Sequence, residues 1–166
     1  MSNNKHTDIL VIGSGPGGYA AAFRAADLGR EVTLVDKDPT LGGVCLNRGC
    51  IPSKTLLHIS KVLEEAESLK KMGVTFTKPT IDINLVRDLK NKVVSQLYSG
   101  IGQMAKARKV NTIQAEATFL SDNEVQLKSE SSTDTITFDY CIIASGSSSS
   151  IIPGIPFDNE NVLNSK

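Results

Sequence analysis

The chain has 166 residues, 40% of them hydrophobic, and its 18 basic and 18 acidic side chains give a formal net charge of zero. That length suits one globular domain with a core of its own, too short for two or three. Balanced charge argues against nucleic acid or a membrane surface as the main partner, since both call for a basic excess, and no apolar run reaches the ~18 residues of a membrane span.

Residues 1–6 are polar and carry no signal-peptide core, so they read as a flexible leader to a cytoplasmic protein. Residues 8–13 (DILVIG) form a short β-branched apolar run, the mark of a buried parallel strand. The glycine cluster 13–18 follows, and the alanine-rich stretch 19–28 suits a helix stopped by Gly29. Residues 31–35 make a second strand that closes on Asp36, completing a βαβ unit. Residues 41–49 are glycine-punctuated. Two helices are then expected, over 53–72 and 84–108. In the second, Leu85, Leu89, Val93, Leu97, Ile101 and Met104 make one apolar stripe, expected to face the core. Short strands are expected at 110–115, 117–120, 124–128 and 135–138, with a hairpin tip at 129–134. Another buried strand, 140–144, runs into Ser145-Gly146, and 147–166 reads as a loop-rich tail. The fold class is α/β, with a Rossmann-like parallel sheet, helices and a small β-meander.

Gly13, Gly15 and Gly18 fit G-x-G-x-x-G between a strand and a helix, with Asp36 ending the next strand. Each glycine answers a separate steric need. Gly13 permits the tight turn, Gly15 lets the backbone approach a pyrophosphate, and Gly18 allows close packing of helix on strand. The helix N-terminus offers N–H groups to phosphates, and Asp36 is placed to accept from a ribose diol. A glycine-rich turn without a ligand is the plain alternative. The fingerprint does not choose between NAD and FAD.

Cys45 and Cys50 sit in G-G-V-C-L-N-R-G-C-I-P-S-K. A disulfide needs Cα atoms roughly 4.4–6.8 Å apart, whereas positions five apart in an ideal helix are separated by about 8–9 Å. The pair closes only if the turn departs from regular helix, and Gly42, Gly43 and Gly49 give that freedom. A zinc site lacks ligands, because only Cys141, His6 and His58 remain and none has finger spacing. Two unrelated buried thiols are the other alternative, which Arg48 and Lys54 nearby disfavour. Cys141, in an apolar run, reads as a small buried hydrophobe.

At these residues the sequence resembles the pyridine nucleotide-disulfide oxidoreductases, in the form carried by their dihydrolipoamide dehydrogenase branch. V-I-G-S-G-P-G-G-Y, the cysteine motif, L-L-H after Lys54, the long helix at 84 and I-I-A-S-G-S near the end all carry the likeness. The resemblance implies an FAD-binding domain and oxidation of dihydrolipoyl groups with NAD as the co-substrate. Cys45 would exchange with the dithiol, Cys50 would face the flavin as the charge-transfer thiolate, and Lys54 would lie by the flavin N5 edge. FAD would be held by Gly13, Gly15, Pro16, Gly18, Asp36, Lys37, Gly43, Val44, Cys45, Lys54, Ala117, Ser145 and Gly146. The partners implied are a second identical subunit and the lipoyl domains of 2-oxo acid dehydrogenase complexes. A glutathione- or mercuric-type reductase, and a non-catalytic FAD-domain fragment, are the alternatives.

Two departures stand out: alanines within 115–119 where the family often has glycines, and serines at 147–150 in place of Arg-Pro. The family's subunit is far longer, with an NAD-binding domain, a returning second half of the FAD domain and a dimerisation domain. Residues 1–166 therefore read as the N-terminal part of an FAD-binding domain, with NAD-binding and dimerisation domains absent. An open sheet edge, exposed apolar surface, weak FAD binding and no turnover are expected of it. His58 is expected on a helix surface, with no part in thiol chemistry.

Overall fold

A computed structural model describes residues 5–162. Strand β1 (Lys5–Ile12) leads into helix α1 (Pro16–Asp27), strand β2 (Val32–Asp36), the short helix α2 (Gly43–Arg48), helix α3 (Cys50–Ser68) with a 3-10 turn at Leu69–Met72, and helix α4 (Ile83–Ala107). Strands β3 (Asn111–Gln114), β4 (Glu116–Ser121), β5 (Glu124–Lys128) and β6 (Thr133–Ile143) follow. They form one six-stranded sheet in the order β3-β2-β1-β6-β5-β4. Pairings around β1 and β2 are parallel, and β5 is antiparallel to both β4 and β6. The α/β class and the meander are as the sequence leads one to expect.

Alternation along the strands divides the core in two. Val11, Val32 and Leu34 meet Ala22, Phe23 and Ala25 of α1 and Ile101 and Ala105 of α4. Leu10 and Val35 meet Val125, Leu127, Ile136 and Phe138 of the meander. Both faces of β1 are thus covered, and Leu10 and Val11 are fully buried, which explains the unbroken apolar run. Gly18, Ala22 and Ala25, with the larger Phe23, form the buried side of α1. The far end of α4 is fastened to α1 by Arg108, whose Nε donates to Asp27 Oδ1 at 2.9 Å while its guanidinium lies 5.3 Å from the Phe23 ring centroid.

Several elements depart from expectation. β1 opens at Lys5, so Lys5 and His6, expected in the leader, pair with Ile136 and Thr137; the leader's residues 1–4 lie outside the described residues. Helix α1 begins at Pro16 rather than at Tyr19, because proline is well suited to the first helical position and Gly17 and Gly18 follow it into the turn. The strands expected at 135–138 and 140–144 are one continuous strand, β6. It serves β5 through Thr133–Thr137 and β1 along most of its length. The second core cluster takes Ile136 and Phe138 but then Cys141, and this change of phase hides the continuity.

The stripe of α4 is also corrected. Leu85, Leu89, Leu97 and Met104 are exposed, and the helix docks through Val94, Tyr98, Ile101 and Ala105. Helix α3 buries no residue at all. Past Thr137, β6 has β1 on one side and no strand on the other among the described residues, with Tyr140 and Ile143 each about two-thirds exposed at 68% and 67%. The tail from Ala144 to Val162 has no helix or strand. No helix among the described residues is long and apolar enough to cross a membrane.

Candidate functional site

The site is built on the turn between β1 and α1. Gly13 has φ +102°, a left-handed conformation, and a side chain there would strike the backbone carbonyl of Ala144. A Cβ at Gly18 would strike the carbonyl of Gly13. Gly15 caps α1 in an ordinary extended conformation, has open space on its Cβ side, and the helix has no side-chain cap. The first N–H groups of α1, at Gly17 and Gly18, are therefore free to meet an anion. Pro16 is exposed beside them.

Asp36 sits against this turn. Its Oδ2 accepts both the backbone N–H and the hydroxyl of Ser14 at 2.6 Å, and its Oδ1 accepts the Asp38 N–H at 2.9 Å. Ser14 is fully buried. The fingerprint treats it as a variable position, and the only signal that could have found it is the pairing of a hydroxyl in the turn with a short carboxylate at the end of β2. Lys37 is exposed next to Asp36.

The cysteine segment docks on the same turn. The Gly42 N–H donates to the Ser14 carbonyl at 2.9 Å, and the backbones at Gly43 and Gly15 approach so closely that a Cβ on Gly43 would lie 2.7 Å from the Gly15 Cα. Gly42 and Gly43 both have positive φ, +107° and +58°. Asn47 then ties α2 to its own entry through bonds from Nδ2 to the Gly43 and Leu41 carbonyls. Leu46 is the buried anchor of α2.

Between α2 and α3 the backbone breaks at Gly49 (φ −124°, ψ −99°). That break brings the Cys45 and Cys50 Cα atoms to 4.7 Å, and the two sulfurs are bonded as a disulfide. The departure from regular helix required by the spacing is therefore present, and it is at a glycine. Cys50 opens α3 and is exposed, Cys45 is half-buried, and Val44 beside it is exposed. Lys54 is exposed one helical turn after Cys50.

Recorded contacts join some of the remaining candidates to the turn and leave others on elements away from it. The Ala144 N–H donates to the Ile12 carbonyl, which places Ala144 and Ser145 beside Gly13, and Gly146 follows with φ +71°. Ala115 donates its N–H to the Asp36 carbonyl at 2.9 Å, so the start of the meander lies beside the acidic residue. Ala117 itself is partly buried in the second core cluster. His58 is exposed on α3. His6 is on β1, where Nδ1 is 3.1 Å from Thr137 Oγ1 and Nε2 is 3.6 Å from Asp139. The cluster of possible metal ligands among the described residues, His6 with Asp8 and Asp139, includes neither Cys45 nor Cys50. Cys141 is a free, half-buried thiol whose ionisation is pushed up by desolvation.

The sequence model for "Pyridine nucleotide-disulphide oxidoreductase" matches residues 7–166. Curated relatives include a dihydrolipoyl dehydrogenase of Buchnera aphidicola subsp. Acyrthosiphon pisum, 47% identical over 99% of this chain and 35% of its own length. One of Vibrio parahaemolyticus is 46% identical over the same shares, and one of Bacillus subtilis is 46% identical over 96% of this chain and 33% of its own. The chain thus spans about a third of the length of these relatives. Glycine turn, disulfide and match over nearly every residue agree, and the chain belongs to the pyridine nucleotide-disulphide oxidoreductase family.

Proposed function

We propose that this chain is the flavin-binding and disulfide-bearing part of a dihydrolipoyl dehydrogenase, in which Cys45 and Cys50 take electrons from a dihydrolipoyl group and pass them to FAD, with NAD+ as final acceptor. The observation that carries this reading is the disulfide between α2 and α3, with Gly43, the first residue of α2, resting on Gly15 of the glycine turn. A dithiol centre and a nucleotide cradle are thereby held together by backbone contact.

The residues present fit FAD. The uncapped start of α1 with open space at Gly15 suits a pyrophosphate, and Asp36 with Lys37 suits the adenosine ribose end. Ala117 belongs to the adenine side in this reading, and Ser145 and Gly146 flank the turn. Flavin supplies a two-electron acceptor that thiols can reduce and that can pass a hydride on. The chain's own chemistry is thiol exchange: a substrate thiolate attacks the Cys45 sulfur, the S–S bond breaks, and Cys50 leaves as a thiolate. The exposed Lys54 ammonium, one turn along α3, favours negative charge on that side.

Turnover needs a base to take the substrate's thiol proton. His58 and His6 are exposed on α3 and on β1, and neither is proposed for that role. The base is proposed to come from a second subunit, so the working unit is a homodimer served by lipoyl domains, in the cytoplasm. The chain by itself is proposed to bind FAD weakly and not to turn over, since it spans about a third of its relatives' length. Equilibrium titration with FAD, followed by an NAD+-linked dihydrolipoamide assay, tests both halves. Weak flavin binding without turnover is expected; stoichiometric, tightly held flavin in the purified chain contradicts the first half, and sustained NADH formation contradicts the second.

A further inference from the structure

Arg48 lies between the two cysteines in sequence and is the last residue of α2. Its Nη2 is 3.5 Å from Asp38 Oδ2, with side chains only 37% and 30% exposed. Asp38 is itself fixed, because its N–H donates to Asp36 Oδ1, while Asp36 Oδ2 holds Ser14 in the glycine turn. A continuous run of polar contacts therefore joins the nucleotide turn to a cation placed between the sulfurs in the chain. Among the described residues this is the one ion pair that touches the disulfide segment.

We propose that Arg48 sets the redox balance of the Cys45–Cys50 pair through its charge, and that Asp38 holds part of that charge in check. This rests on the reading of the two cysteines as a redox pair, and not on the flavin. The step at issue is reduction by an external dithiol. One thiolate of the reductant attacks Cys45 Sγ, the S–S bond breaks, and its electron pair leaves on Cys50. The reductant's second thiol loses its proton and displaces Cys45 from the mixed disulfide, closing the reductant into its own disulfide. The protein gains two electrons and, once both thiols are protonated, two protons. Negative charge accumulates on the protein sulfurs, so a guanidinium carried on the same short segment, two residues from Cys50 and three from Cys45, speeds departure of the thiolate and favours the reduced pair, while a carboxylate opposes it.

Charge tuning and mechanical clamping make different predictions. Under charge tuning, Arg48→Gln slows dithiothreitol reduction of the disulfide and lowers its equilibrium constant in a dithiothreitol redox buffer. Asp38→Asn does the reverse, and the double variant returns towards wild type. Each change is roughly two- to fivefold, the range of a partly exposed ion pair, and shrinks as salt is raised. Arg48→Lys keeps most of the wild-type value. A clamp that merely positions α2 would move Arg48→Gln and Asp38→Asn in the same direction, and that result overturns the proposal, as does no change in either.

Protein reduced with a phosphine gives a second readout that needs no exchange with a dithiol. The ultraviolet thiolate absorbance at neutral pH is expected to fall in Arg48→Gln and rise in Asp38→Asn. Equal absorbance in all variants overturns the proposal. A wild-type disulfide inert to dithiols, with the absorbance changes present, would instead sink the proposed function and leave the tuning standing.

Discussion

Asp36 does more than its place in the fingerprint suggests. A carboxylate offers about four lone-pair directions, and Ser14 and Asp38 occupy three of them, leaving room for one more bond, which the proposed function gives to a ribose hydroxyl. Its first duty is to hold the glycine turn. Asp36→Ala would leave the buried Ser14 N–H without an acceptor, which costs about 1–3 kcal/mol; urea unfolding should show that loss even without flavin, and unchanged stability would contradict the assignment. His58 is the contrasting case, exposed on α3, and His58→Gln should leave the rate of dithiol reduction unaltered in a stopped-flow assay. Cys141 gives a pH dependence. Burial raises its ionisation above 9.0, so the folded chain keeps the proton longer than the unfolded chain does. The stability linked to this thiol is fully present below 9.0 and is lost as pH climbs through the raised value; Cys141→Ala should remove that alkaline decline in thermal unfolding. The steric tasks of Gly13 and Gly18 were legible because each follows from local spacing, while the spacing of the cysteines told only that their bond needs a break in the helix. The Ser14–Asp36 bond was not, because it joins positions 22 apart that only the folded turn brings together.

At the scale of elements, the β1–α1 turn allows fold and cofactor to be separated by two substitutions. Gly18→Ala would drive a methyl into the Gly13 carbonyl, and backbone cannot yield there as a flexible side chain would. A loss of about 1–3 kcal/mol in denaturant unfolding is expected, as for overpacked sites. Gly15→Ala meets nothing within 4 Å and keeps an ordinary backbone angle, so stability should stay within about 0.5 kcal/mol of wild type. Its methyl, however, would occupy the space proposed for the pyrophosphate, and FAD affinity should fall on the order of tenfold, about 1.4 kcal/mol. Equal affinity in Gly15→Ala would remove the turn from the cofactor site. The βαβ unit was legible element by element, since its buried parallel strands leave unbroken apolar runs. The start of α1 was not, because Pro16, Gly17 and Gly18 read as turn residues until the helix N-terminus is seen. The unity of β6 was hidden where its core contacts pass from Phe138 to Cys141.

For the whole molecule, periodicity drew an apolar stripe along α4 but could not say whether anything covers it. Leu56, Leu57, Leu85, Leu89 and Leu97 are exposed, as are Tyr140 and Ile143 at the free side of β6. Exposed apolar side chains and an unpaired strand edge each favour association. Sedimentation velocity should show concentration-dependent self-association that Ile143→Lys reduces; a strict monomer at all concentrations would contradict this. The proposed function's central claim, that Cys45 and Cys50 carry electrons from a dithiol to flavin, is tested most directly by anaerobic addition of dihydrolipoamide to the chain in saturating FAD, at alkaline pH where the dithiol ionises without a protein base. Bleaching of the flavin absorbance is predicted in the wild type and its loss in both Cys45→Ser and Cys50→Ser. Bleaching that persists in either variant, or is absent in the wild type with flavin bound, would contradict the account.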